Sequence, residues 1–305
     1  KRGRRAGWRS FTLVEVMTAQ FDNPWGAIGP IIVINVLDPD LHRTTDATAA
    51  QLPVSNRRCE FRSNTIILDT RALEELAEGV DYALDYNYTK GSVILTSLDP
   101  ENPITGAVAA SYFEVDVAAI TEEELIGGVT SAGVYSGIGA LQLVYPEMFE
   151  VPNILAAPGW SHLPAVYNAL IKARDKINGH WDAFVMADLP ILDGADLIDT
   201  IDKAKAWKIG NAYNSEFSKV YWPMAIESLG RSYHLSTLAV VEMLRTDFSH
   251  RSVPMETPGN KQIPIVRLSF GESSSNQGYD QQTANQLTSA GISTAVAWGG
   301  AWVLW

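Results

Sequence analysis

The chain has 305 residues, of which 46% are hydrophobic and 19% are charged, and its formal net charge is -12 at pH 7. This composition supplies a core for one large or two moderate domains, which excludes an intrinsically disordered chain. The negative charge disfavours direct nucleic-acid binding, and no apolar run reaches the roughly 18 residues of a transmembrane helix.

The termini and the cysteine content give further expectations. The basic run at residues 1–5 is interpreted as a solvated end, and the alternative is an arm that docks on the acidic surface of a neighbouring copy. Cys59 is the single cysteine, which excludes an intrachain disulfide and fits a reducing compartment such as the bacterial cytoplasm. Because the chain starts at Lys1 and stops at Trp305, we expect both ends to be cut from a longer polypeptide.

The first half of the chain changes its periodicity. The apolar run at residues 31–36 predicts a strand of a parallel sheet. From about residue 40 to residue 117, apolar side chains alternate with polar or small ones, which predicts antiparallel strands with one solvent-facing side. The alternating sets are Tyr82-Leu84-Tyr86, Val93-Leu95 and Phe113-Val115-Val117. A turn is expected at residues 87–91, and the helix-forming segment 71–78 stays unassigned.

From about residue 128 onward, short apolar runs alternate with segments of helical period. The predicted strands are residues 153–157, 183–187, 217–222 and 292–297. The predicted helices lie near residues 141–149, 161–177 (with Ser161 as N-cap), 197–204, 235–244 and 280–290. This alternation predicts an α/β fold with a largely parallel sheet covered by helices. We expect residues 1–39 and 119–305 to form this discontinuous domain and residues 40–118 to form an inserted antiparallel β-domain.

Motifs for catalysis and metal binding are scarce. No two of the histidines lie within four residues of each other, so each is interpreted as structural or surface-exposed. They are His42, His162, His180, His234 and His250. The sequence contains no Gly-x-Ser-x-Gly elbow and no phosphate-binding loop. We therefore expect no catalytic, cofactor-binding or metal-binding residue.

Asp188 is the strongest single candidate for a site residue, because ligands of open α/β sheets bind at the carboxyl ends of strands. The simpler interpretation is an aspartate that caps the loop before Leu189 and Pro190. Asp188 supports one alternative function, a hydrolase-like α/β enzyme with this residue in a cleft. A second alternative is an adhesin or binding module that uses the β-domain.

Six loop and edge motifs, taken in order and spacing, resemble the tail sheath proteins of contractile-tailed phages and related bacteriocin-like particles. They are residues 19–26, 126–129, 157–161, 188–190, 233–236 and 299–302. The resemblance covers about residues 11–39 and 120–305. Family members commonly carry Pro-Ser-Asn where this chain has Pro258-Gly259-Asn260. The family also continues past the position of Trp305 with a region that contacts the tube, and it has a longer N-terminal arm.

The resemblance implies a non-enzymatic structural subunit. Sheath subunits form hexameric rings that stack around an inner tube, and contraction drives the tube through a bacterial envelope. The implied partners are other copies of the chain, the inner tube protein, and the baseplate and tail terminator proteins, without cofactors, direct nucleic-acid binding or membrane insertion. The implied location is the tail of a virion or contractile particle that is assembled in the host cytoplasm. Phages, bacteriocins and secretion-like injectors all fit the resemblance.

Overall fold

The computed structural model describes residues 12–22, 28–62, 66–67, 72–73, 75–87 and 92–305. Their contacts divide the chain into two compact units, Leu37–Thr121 and the described residues on either side of it. The prediction of a mixed α/β chain that contains a parallel sheet is confirmed. The basic run at residues 1–5 lies outside the described residues, as does most of the turn expected at residues 87–91.

The secondary-structure elements are numbered here in chain order within the described residues. The α-helices are α1 (Thr12–Phe21), α2 (Glu122–Ile126), α3 (Val144–Met148), α4 (Pro164–Ala173), α5 (Ile201–Gly210), α6 (Leu235–Ser249) and α7 (Gln281–Ser289). Strands before residue 150 are β1 (Thr48–Val54), β2 (Arg58–Arg62), β3 (Ala72–Leu73), β4 (Tyr82–Asn87), β5 (Ser92–Ser97), β6 (Gly106–Tyr112), β7 (Gly128–Val129) and β8 (Tyr135–Ser136). Later strands are β9 (Ile154–Ala156), β10 (Phe184–Asp188), β11 (Leu192–Asp193), β12 (Asp196–Leu197), β13 (Ser218–Tyr221), β14 (Met224–Ile226), β15 (Ser232–Tyr233), β16 (Arg267–Ser269), β17 (Ile292–Ser293), β18 (Ala295–Trp298) and β19 (Ala301–Leu304). Within the described residues, 3-10 helices span Val117–Ala119 and Gly137–Leu143.

The parallel sheet lies in the larger unit and has the strand order β17-β13-β10-β9. Its strand β10 carries Val185, Met186 and Ala187, all essentially without solvent exposure. A strand that is covered on both faces has no polar alternation, which explains why this run was recognisable from the sequence. The strands predicted near residues 153–157, 183–187 and 217–222 are thereby confirmed, with ends shifted by one or two residues.

Three predicted elements of the larger unit are corrected. Residues 31–36 form no strand, since Val33 and Ile34 are 48% and 37% exposed and no described strand pairs with the run. The run at residues 292–297 is two strands, because β17 pairs with β13 whereas β18 pairs with β19. Helix α4 begins at Pro164 with Leu163 as its N-cap residue, so Ser161 does not cap it. Proline suits this first turn because its missing N–H has no acceptor there.

The smaller unit contains two three-stranded antiparallel sheets, β1-β6-β3 and β2-β5-β4. Its apolar core consists of Leu52, Val54, Cys59, Tyr82, Leu95, Val108 and Ala110. The strands predicted around Leu84 and Leu95 are confirmed as β4 and β5. The third alternating set is corrected, since Glu114 and Val115 form only isolated bridges, Val117 begins a 3-10 helix and the strand is β6. Strand β6 is rich in alanine and serine, so it carries little alternation for the sequence to show.

Candidate functional site

Helix α1 belongs to the larger unit and buries two of its polar side chains against the rest of it. Glu15 and Gln20 are buried together with Ala19, whereas Leu13 and Phe21 are exposed. This arrangement reverses the usual amphipathic helix, whose apolar stripe faces the core. The inward face of α1 belongs to a group of polar residues that we call the buried polar cluster, in which four are buried and His234 is partly buried: Glu15, Asp188, His234, Ser236 and Thr237.

Glu15 contacts the N-terminus of helix α6 with both carboxylate oxygens. Its Oε1 accepts hydrogen bonds from the backbone N–H of His234 at 2.7 Å and from the Thr237 hydroxyl at 2.8 Å. Its Oε2 lies 2.9 Å from Nδ1 of His234. His234 is the N-cap residue of α6 and forms no capping hydrogen bond with its own side chain. Glu15 therefore supplies the negative charge that a helix N-terminus favours.

Asp188 contacts the same helix from the carboxyl end of strand β10. Its Oδ1 accepts a hydrogen bond from the backbone N–H of Ser236 at 3.0 Å, and its Oδ2 accepts one from the Ser236 hydroxyl. The backbone N–H of Asp188 donates to the Ser161 hydroxyl at 3.0 Å. The interpretation of Asp188 as a cap of its own loop is therefore wrong. It caps helix α6 through Ser236, which lies 48 residues later, and Ser161 contributes to the same network.

The electrostatics of the cluster centre on His234. Burial lowers the pKa of His234, but the Glu15 charge, its hydrogen bond and the Asp188 charge outweigh this effect and raise the pKa to about 9. Burial raises the pKa of Asp188, while His234 and the hydrogen bonds from Ser236 oppose the increase. Burial and the nearby His234 lower the pKa of His162. His234 is therefore an imidazolium at neutral pH, and its charge balances the buried carboxylates.

The cluster stabilises contacts and does not present a nucleophile. Glu15 is 1% exposed and Asp188 is 4% exposed, so neither carboxylate is accessible to a substrate. The Ser236 hydroxyl donates to Asp188, but Ser236 is itself fully buried, so this hydroxyl cannot reach a substrate. Among the described residues, no group of three or more His, Cys, Asp and Glu side chains is arranged to hold a metal ion. Within the same residues, no helix has the length and apolarity needed to cross a bilayer.

Sequence reasoning identified Asp188 as a candidate but missed its partners. Glu15 and His234 are 219 residues apart, and nothing in the sequence links Glu15 to the motif at residues 233–236. Of the other histidines, His42 accepts a hydrogen bond at Nδ1 from the backbone N–H of Asp38 at 2.9 Å, which is a structural role. The burial of Glu15 on a helix whose leucine is exposed points to the cluster, but this burial is known only from the structure.

Comparison with known proteins gives one match in sequence. No protein-family model matches the chain. Over 158 residues the chain is 32% identical to the tail sheath protein of Burkholderia phage BcepMu, a match that covers 49% of this chain and 31% of that protein. The chain thus spans about a third of the length of this relative.

Two solved structures show weaker similarity. The baseplate of the anti-feeding prophage matches 55% of this chain and 41% of its own chain at 21% identity, with a TM-score of 0.34. A sheath tail protein from Desulfitobacterium hafniense matches 85% of this chain and 56% of its own at 12% identity, with a TM-score of 0.38. We base the assignment on the sequence match. The resemblance found in the motifs is confirmed, and this chain is a relative of a phage tail sheath protein over about half of its length.

Proposed function

We propose that the chain is a structural subunit of a contractile tail sheath. In this proposal it assembles into stacked hexameric rings around an inner tube, and contraction of the stack drives the tube through a bacterial envelope. The observation that carries the proposal is the 32% identity over 158 residues to a phage tail sheath protein. Heterologous contacts between identical subunits generate rings and helices, and contraction requires two packings of one subunit that differ modestly in free energy.

The proposed domain organisation is a discontinuous α/β domain of residues 1–39 and 119–305 with an inserted β-domain of residues 40–118. The compact unit Leu37–Thr121 supports this proposal. Its two antiparallel sheets and separate apolar core also support it, because a unit with its own core can be inserted at a surface loop.

The proposed partners are further copies of this chain, the inner tube protein, and the baseplate and tail terminator proteins. The proposed location is the tail of a virion or contractile particle assembled in the host cytoplasm. The proposal includes neither direct nucleic-acid binding nor membrane insertion. The net charge of -12 supports the absence of direct nucleic-acid binding from the proposal, because a negative surface repels phosphates.

We further propose that the subunit is not an enzyme and has no catalytic, cofactor-binding or metal-binding residue. The alternative, a hydrolase-like enzyme with Asp188 in a cleft, is not favoured by the match to a tail sheath protein. The burial of Asp188 and the use of both its oxygens by Ser236 also argue against it. A hydrolase carboxylate must reach its substrate or a catalytic water.

Electron microscopy tests the proposed function. The purified protein is incubated over a range of concentrations, alone and with an inner tube protein, and negatively stained. Rings or tubes of regular diameter that shorten on a contraction trigger are the expected result. A protein that stays monomeric under all of these conditions contradicts the sheath function. Hydrolysis of a generic ester or glycoside that is lost in Asp188→Asn would favour the enzyme.

A further inference from the structure

An open groove of about 380 Å³ lies in the larger unit, on the side of the parallel sheet where helix α6 packs. The groove has contributions from two strands of the sheet, from the second half of α6 and from the segment that follows this helix. We call it the Lys219 groove, and it is lined by Phe184, Met186, Lys219, Tyr221, Met243, Asp247 and residues 254–258.

Lys219 is a half-buried cation without an anionic partner. Burial lowers its pKa, and no neighbouring carboxylate opposes this effect. Among the described residues, Lys219 forms neither a hydrogen bond nor an ion pair through its side chain. Of the two acidic lining residues, Glu256 is engaged by Lys261 at 2.6 Å and faces His250 at 3.6 Å. The other, Asp247, has its pKa raised by burial, which the charge of His250 opposes. An unpaired, half-buried ammonium gains a charge-assisted hydrogen bond when a carboxylate enters the groove.

The rest of the groove is suited to an apolar side chain. Three methionines line it, Met186, Met243 and Met255, and methionine adapts to irregular partners and contacts aromatic rings favourably. Met255 is 72% exposed, and Phe248 and Val253, adjacent in the chain to lining residues, are also exposed. Exposed apolar side chains that surround a groove are typical of an interaction surface.

A segment of the same unit carries the complementary groups. Residues 146–150 are Pro146-Glu147-Met148-Phe149-Glu150, and all five are exposed. Phe149 is 78% exposed and adopts a left-handed backbone conformation with φ of 58°. Phe149 ends helix α3 in this conformation, with its backbone N–H bonded to the Tyr145 carbonyl, so the helix end holds its backbone in place while its side chain faces solvent. Glu147 and Glu150 form no ion pair within the part of the chain that the structure describes.

We propose that the 146–150 segment of one copy docks in the Lys219 groove of a second copy. The Phe149 ring packs against the groove methionines, and Glu147 or Glu150 pairs with Lys219. The segment does not line its own groove, so the contact joins different surfaces of two copies, which is the geometry that extends into rings or helices. At a net charge of -12, identical chains repel each other, and an unpaired lysine provides a site where they attract. The choice of a second copy as the occupant rests on the proposed sheath function.

Disulfide trapping tests the contact directly. A Phe149→Cys copy is mixed with a Met255→Cys copy under mild oxidation, and dimers are measured on non-reducing gels. The matched control replaces Met255→Cys by Leu229→Cys, because Leu229 is 78% exposed and does not line the groove. Cys59 is 4% exposed and so does not compete. Dimers that form with Met255→Cys and not with Leu229→Cys are expected. Equal trapping with both partners, or with neither, overturns the proposal.

Charge exchange supplies an independent measurement. Lys219→Glu should weaken self-association about tenfold or more, which corresponds to about 1.4 kcal/mol. Lys219→Met, which keeps the side-chain volume, should weaken it less, and circular dichroism checks that both variants fold. Glu147→Lys with Glu150→Lys should restore association of Lys219→Glu. Tubes of normal stability from Lys219→Glu overturn this inference and leave the sheath function intact. Specific trapping without rings or tubes in the wild-type protein supports the contact and contradicts the sheath function. Capture of the tube protein by the groove assigns the groove to that partner and overturns the inference.

Discussion

The contact between Glu15 and His234 should make the stability of the α/β unit depend on pH in a window set by the histidine. Three titratable groups face His234: Glu15 from helix α1, Asp188 from the end of strand β10, and His162 from the loop before α4. The perturbation is Glu15→Gln, which keeps the shape of the side chain and removes its charge.

The magnitude follows from the pKa of His234, which is about 9 in the folded protein and has an ordinary value of 6.5. A group whose folded pKa is raised contributes stability that is complete below the unfolded pKa and is lost as the pH rises through the folded pKa. The difference corresponds to about 3 kcal/mol, at about 1.4 kcal/mol per pKa unit. This value is an upper bound, because 17% of the His234 side chain is exposed to screening by water. The wild-type free energy of unfolding should therefore fall by up to about 3 kcal/mol between pH 6.5 and pH 9.

In Glu15→Gln, burial lowers the pKa of His234 and the Asp188 charge alone opposes it, so most of this pH dependence should disappear. At pH 7 the variant should be less stable than the wild type by about 2–3 kcal/mol, and at pH 9.5 the two proteins should converge. Urea unfolding followed by tryptophan fluorescence measures this, because all 9 tryptophans lie outside residues 37–121 and report on the α/β unit.

The matched control is Glu256→Gln, which removes a similar contact with a histidine at the surface. Glu256 lies 3.6 Å from Nε2 of His250, and the two side chains are about a third or more exposed. Exposed ion pairs contribute little to stability, so this variant should keep the pH dependence of the wild type. If Glu15→Gln and the wild type lose stability equally between pH 6.5 and pH 9, the proposed role of the Glu15–His234 contact is refuted.

Two further predictions concern stability. Asp188→Ala should lower the free energy of unfolding by about 2–4 kcal/mol, because the buried Ser236 loses both the acceptor of its N–H and that of its hydroxyl. Asp280→Ala, which removes the exposed N-cap of α7, should lower it clearly less, and equal urea midpoints for the two variants would refute the difference. Gly159→Ala should cost about 2–4 kcal/mol in thermal unfolding, because the residue has φ of +78° and the new methyl group would lie 2.6 Å from a side chain of α1. Gly299→Ala, at φ of +62° with open space around it, should cost about 1 kcal/mol, and a loss as large as that of Gly159→Ala would contradict the packing argument.

The elements that could be predicted from the sequence are those whose own residues show an apolar run or capping signals. Strand β10 is an uninterrupted apolar run, and helix α7 has Asp280 as N-cap and Gly291 after its last turn, so both were located to within one or two residues. Residues 31–36 have the same apolar composition and form no strand. A strand requires a neighbour to accept its hydrogen bonds, and local composition does not identify the neighbour.

The buried polar cluster was beyond sequence reasoning for the same reason. Asp188 was selected because it ends a buried strand, but its partner Ser236 lies 48 residues away and its role as a helix cap depends on where α6 begins. Glu15 was not selected at all, because a glutamate near a leucine and a phenylalanine predicts a solvent-facing position. Tertiary hydrogen bonds from His234 and Thr237 override that preference.

The distance in sequence between Glu15 and His234 has a consequence for synthesis of the chain. At roughly 5–20 residues per second, the ribosome needs about 10–45 s to add the 219 residues that separate them. During that interval helix α1 has emerged, but the N-terminus of α6 to which it binds does not yet exist. Docking of α1 buries Glu15, Gln20 and one alanine, while Leu13 and Phe21 stay exposed. Because little apolar surface is buried, the hydrophobic effect contributes little to an early docking of α1. Helix α1 is therefore expected to be among the last of the described helices to reach its place.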